Sequence, residues 1–78
     1  MRLMKVREEL ENKNILYEYS EVEECGSLDF EYRGLRYHVW EFHDDTWGAD
    51  TNVRGGGCSE EILGDYEAKI VNLIEGWA

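Results

Sequence analysis

Ser27 to His43, SLDFEYRGLRYHVWEFH, is the stretch that most narrows what this chain can fold into. It holds the densest run of aromatic and β-branched residues, and Arg33-Gly34 at its centre is a two-residue turn signal of the kind that joins antiparallel strands. With the turn there, Tyr32 faces Leu35, Phe30 faces Tyr37 and Leu28 faces Val39, so one face of the hairpin is continuously apolar. On the other face Glu31 opposes Arg36 and Asp29 opposes His38, which predicts a His38–Asp29 pair. The apolar and ionic patterns agree on one register, and a slip of one residue would destroy both.

The flanking sequence supplies helices and further strands. Met1 to Asn12 reads as an amphipathic helix with Leu3, Val6 and Leu10 on one stripe and Glu8, Glu9 and Glu11 turned to solvent. Asn12 to Asn14 stops it, and Asn14 to Ser20 alternates as a strand with Ile15, Tyr17 and Tyr19 on one face. Glu21, Glu23 and Glu24, close to Glu18, form a solvated connection ending at Cys25-Gly26. After the hairpin, Trp40 and Phe42 fall on the face opposite Leu35, Tyr37 and Val39. That calls for a bulge near Trp40, a second covered face, or an exposed aromatic patch.

His43 to Gly48 is a polar turn, and Ala49, Thr51 and Val53 alternate as a weaker edge strand. Gly55, Gly56 and Gly57 interrupt regular structure, Ser59 caps a short turn through Glu60 and Glu61, and Asp65 caps a final helix. That helix carries the clearest apolar stripe in the chain, Tyr66, Ile70, Leu73, Ile74 and Trp77. Short antiparallel connections with a helix at each end predict an α+β fold. It has two layers, a three- to four-stranded antiparallel sheet and the order α-β-β-β-β-α in one domain, 1–78.

A chain of 78 residues buries only about 60% of its unfolded surface and leaves little room for a deep substrate cavity. Eighteen acidic against eight basic residues give a net charge of -10, which repels phosphate backbones and anionic lipid, so neither direct nucleic-acid binding nor membrane binding is expected. The same field attracts a basic protein, including one whose surface normally holds DNA or RNA. Two cysteines, Cys25 and Cys58, and no apolar leader or span point to the cytoplasm and to reduced thiols. An edge strand near Thr51 offers a route to a homodimer.

Several residue groups invite chemical readings. His38, His43, Asp44, Asp45 and Cys58 are zinc-ligand types, but their spacing matches no standard site and no metal or cofactor is expected. The acids around Glu21 lack the regular spacing of a calcium loop. Glu41 with Asp44-Asp45 outlines a carboxylate pair, and His43 with its aspartates a small hydrolase, although nothing in the sequence fixes the separations such chemistry needs. Arg54 with Gly55, Gly56 and Gly57 before a helical segment outlines an anion cradle, the basis of an alternative reading as a binder of a nucleotide-like signal. It lacks the lysine and the spacing of a phosphate loop.

The segment EYRGLRYHVWEFHDDTWGADTNVRGGG, Glu31 to Gly57, followed by Gly64-Asp65-Tyr66-Glu67, resembles a group of small uncharacterised bacterial and mobile-element proteins, some of which carry only the label "kinase". A phosphate loop and metal-holding residues, which phosphoryl transfer needs, are not found in this sequence. In size and acidity the chain is also similar to phage-encoded inhibitors of bacterial defence, the anti-CRISPR proteins among them. These readings lead to one expectation: a non-enzymatic inhibitor that docks on a basic protein and masks its nucleic-acid-binding surface. Glu18, Glu21, Glu23, Glu24, Asp44 and Asp45 would supply the field, and Trp40, Phe42 and Trp47 the contact area.

Overall fold

In the computed structural model, which describes residues 1–77, five antiparallel strands follow one another across a single sheet and both helices lie on one of its faces. The elements are α1 (Met4–Asn12), β1 (Tyr17–Val22), β2 (Cys25–Tyr32), β3 (Leu35–His43), β4 (Trp47–Thr51), β5 (Glu60–Leu63) and α2 (Tyr66–Glu75). This is the expected two-layer α+β class with a helix at each end, built on five strands where three or four were expected.

The β2–β3 hairpin has the register its side chains predict. Leu28 pairs with Val39, Phe30 with Tyr37, Tyr32 with Leu35 and Glu31 with Arg36. Arg33 (φ 53°) and Gly34 (φ 82°) make the turn in the left-handed region, which matches the twist of the strands it joins. No bulge interrupts β3 at Trp40, which pairs with Ser27 on one side and Asp50 on the other. Trp40 and Phe42 therefore point away from the helices as a direct result of the pleat.

The other face carries the core. Val6 and Leu10 of α1, Leu28 and Val39 of the sheet, and Ile70 and Ile74 of α2 are fully buried together. Each such side chain contributes about 1.5–3 kcal/mol of burial. Trp77 extends the α2 stripe, stacking on Tyr32 at 4.6 Å and lying 4.8 Å from Tyr37. The Asp65 carboxylate accepts from the Ala68 N–H and caps α2 as its position predicts.

Four expectations are corrected. The first helix begins at Met4, because Leu3 sits in the left-handed region (φ 56°) and the preceding residues run across the sheet. There a Cβ on Gly26 would lie 2.9 Å from Arg2 Cβ, so only glycine admits the crossing. The first strand starts at Tyr17, since Asn14 (φ 59°) turns the chain; Ile15 is buried and Leu16 is 91% exposed. The fourth strand, Trp47–Thr51, is interior rather than an edge. Glu60 and Glu61, expected in a short turn capped by Ser59, instead open Glu60–Leu63, which pairs with it as the fifth strand. A strand of four residues with one buried side chain, Ile62, is too short to display alternation.

Candidate functional site

Two turns at the same end of the sheet, β1–β2 and β3–β4, enclose a cleft of about 430 Å³. Glu23, Glu24, Trp40, Phe42, Asp44 and Trp47 are among its lining residues. Six of the nine residues picked from the sequence as a docking surface thus meet in one place, although Glu23 and Trp47 are far apart in the chain. Glu18 and Glu21 lie on the neighbouring strand β1, and Asp45 is exposed in the β3–β4 turn outside the cleft lining.

The geometry of the β1–β2 turn is unusual for its sequence. Val22 pairs with Cys25, so Glu23 and Glu24 are its two central residues, and both have positive φ, 51° and 67°. Such a turn ordinarily takes Asn-Gly. A left-handed non-glycine residue costs roughly 1–2 kcal/mol, so the fold holds two exposed carboxylates at this tip against a local preference.

Beneath the cleft lies a buried ionic cluster that the sequence reading assigned otherwise. Glu41 shares a face with Tyr37 and Val39, and its side chain is only 2% exposed. Its carboxylate accepts from Arg2 Nε (2.9 Å) and Nη2 (3.2 Å), the Tyr66 hydroxyl (2.5 Å) and the Gly26 N–H (2.8 Å). Burial alone pushes this carboxyl up, but the hydrogen bonds from Arg2, Tyr66 and Gly26 together outweigh it and hold it below the usual carboxylate range. Burial, and then the neighbouring carboxylate, pushes Tyr66 up to about 12. The Arg2 guanidinium also sits over the Trp47 ring, 4.2 Å from its centroid. A carboxylate and an aromatic face thus already hold one arginine within the chain, on the helix-covered side of the sheet. The signal for the cluster was a glutamate at an inward position of an apolar strand face.

His38 is the centre of a second polar group. Its register partner is Asp29, but its ring turns to the other neighbouring strand, where Nε2 lies 3.2 Å from Asp50 Oδ1 and 3.1 Å from Ser59 Oγ. Serine, histidine and aspartate are the residues of an acyl-transfer triad, yet here both partners meet the same ring nitrogen. A relay needs one nitrogen toward each. The imidazole instead supports Trp40, stacked on it at 4.1 Å. His43 is exposed and stacks on Trp47 at 4.5 Å. Among the described residues, no group of three or more His, Cys, Asp or Glu side chains is placed to hold a metal ion.

The glycine loop precedes strand β5, not a helix, and Arg54 is ion-paired with Glu60 at 2.9 Å. Buried Asn52 anchors the loop, donating to Arg36 O and Gly56 O and accepting from the His38 N–H. Cys25 lines the cleft and Cys58 is exposed; both are free thiols. Among the described residues, no helix is long and apolar enough to cross a membrane. Comparison of the chain with protein-family models, curated protein sequences and solved structures gave no match.

Proposed function

We propose that this protein is a non-enzymatic binding module whose acidic, aromatic cleft receives arginine and lysine side chains of a basic protein in the cytoplasm. The observation that carries this reading is the pair of glutamates in left-handed conformation at the β1–β2 turn, facing a cleft that also holds Asp44, Trp40 and Phe42. Small-molecule pockets are mostly apolar with a few polar groups, whereas this cleft sets Glu23, Glu24 and Asp44 beside the tryptophans Trp40 and Trp47. That combination suits a cation, which is attracted by charge and by the ring faces alike. Arg2, seated between Glu41 and Trp47, is an example within the chain of the contact a partner's guanidinium would make.

A basic surface of this kind is commonly one that binds nucleic acid. A protein that occupies it excludes the nucleic acid, as a mobile-element inhibitor of the anti-CRISPR kind does. The test is displacement. A fluorescent DNA oligonucleotide is bound to an arginine-rich peptide, and the protein is added at increasing salt. Release of DNA near stoichiometric protein, weakening steeply with salt, is expected. Failure to release DNA at any salt refutes the reading. A melting-temperature rise with nucleotides, absent with the peptide, would favour a small-ligand binder instead.

A further inference from the structure

Among the described residues, both helices cover one face of the sheet, and the other face, bare of helices, is touched at His38 by Ser59 of the loop before β5. On the bare face the strand register aligns side chains into rows across the sheet. Val22 pairs with Cys25, Phe42 with Gly48, and Gly48 with Leu63, while the register that sets Ser27 opposite Trp40 brings Cys25 beside Phe42. The result is an apolar row from one edge strand to the other. Val22 is 65% exposed, Leu63 48%, and Trp40, in the next row, 45%.

Gly48 makes the row continuous. A Cβ there would lie 2.6 Å from Phe42 Cζ and 2.7 Å from Leu63 Cδ2, so both side chains lie down over its backbone. Carboxylates stand on both sides of the row. Glu23, Glu24 and Asp44 rise from the turns at one end, and Asp29, Asp50 and Glu61 lie among the strands on the other.

We propose that this bare face seats an amphipathic α-helix of the partner, with an apolar stripe flanked on both sides by lysine or arginine. The inference rests on the basic-partner reading above and specifies the element that docks. The row crosses four inter-strand gaps, about 19 Å, which matches roughly 13 residues of α-helix. An incoming strand would add at a sheet edge instead of lying across the face. A second copy would set the same carboxylates against each other, with a charge of -10 on each chain. Anionic lipid is repelled for the same reason. A cationic amphipathic helix complements both the apolar row and its acidic borders.

The experiment uses synthetic helices of about 14 residues in leucine and lysine, with leucines on one stripe. One control peptide has the same composition with the stripe scrambled, and another has serine for leucine. Binding is read from tryptophan fluorescence. The striped peptide is expected to bind about tenfold more tightly than either control. Trp40→Ala and Leu63→Ser, both at exposed positions, should each remove most of that preference while leaving the melting temperature within a few degrees. Equal binding of all three peptides overturns the helix seat but leaves the basic-partner reading standing, whereas no binding by any of them counts against both. A dimer of the protein alone that Trp40→Ala dissociates also overturns the proposal, because the occupant is then a second copy.

Discussion

Glu41→Gln removes the buried charge on which Arg2, Tyr66 and the Gly26 N–H converge while keeping the shape of the side chain. Removing one partner of a buried ion pair costs about 3–5 kcal/mol, and the Arg2 side chain, 39% exposed, can rehydrate, which places this case near 3 kcal/mol. A chain of this size has a total stability of roughly 4–12 kcal/mol, so the variant loses a large share of it. At 4–8 °C per kcal/mol, the melting temperature should fall by about 12–24 °C. Urea unfolding followed by tryptophan fluorescence, together with thermal melts by circular dichroism, measures both quantities. The pH dependence follows from the same cluster. The folded Glu41 carboxyl titrates below its ordinary value of 4.5, so its contribution is fully present above that pH and disappears as pH falls through the lower folded value. Glu41→Gln should flatten this acid limb. A variant within about 0.5 kcal/mol of the parent, with the acid limb unchanged, refutes the cluster's structural role.

Three further substitutions test individual contacts. Asn52→Ala strands the Arg36 and Gly56 carbonyls and the His38 N–H, and should cost about 2–3 kcal/mol in urea unfolding. Gly26→Ala forces a methyl group to 2.9 Å from Arg2 Cβ and 3.2 Å from Glu41 Oε1, with an expected loss of about 1–3 kcal/mol. Asp65→Ala removes the α2 cap; because the bond to Ala68 N is long at 3.4 Å, the loss should be near 0.5 kcal/mol, read as a small fall in urea midpoint.

Much of the fold was legible because some segments carry two independent patterns. The Leu28–Val39 register was fixed by an apolar face and an ionic face at once, and α2 by its stripe and by Asp65. Where only one weak pattern exists, the reading failed. Strand β5 buries a single residue, and the Glu23-Glu24 turn carries neither the asparagine nor the glycine that would mark it. The pleat put Trp40 and Phe42 on the face away from Tyr37, so their joint position was readable without knowing what covered it. The Arg2–Glu41 pair was not. Its partners are 39 residues apart and meet only because the N-terminal segment crosses the sheet over Gly26. His38 likewise bonds to the strand that its hairpin pattern does not include.

In the proposed binding role, the β1–β2 turn holds its two carboxylates in place for recognition, at a cost to stability. Glu23→Asn combined with Glu24→Gly installs the turn's preferred residues, and should stabilise the fold by about 1 kcal/mol, raising the melting temperature by roughly 4–8 °C. The same variant should bind the arginine-rich peptide about tenfold more weakly. Glu8→Gln with Glu9→Gln on α1 changes net charge equally and should leave affinity within about twofold. Titrating the three proteins with that peptide decides the matter: a more stable variant that binds as well as the parent, or an equal loss in the α1 control, contradicts the claim.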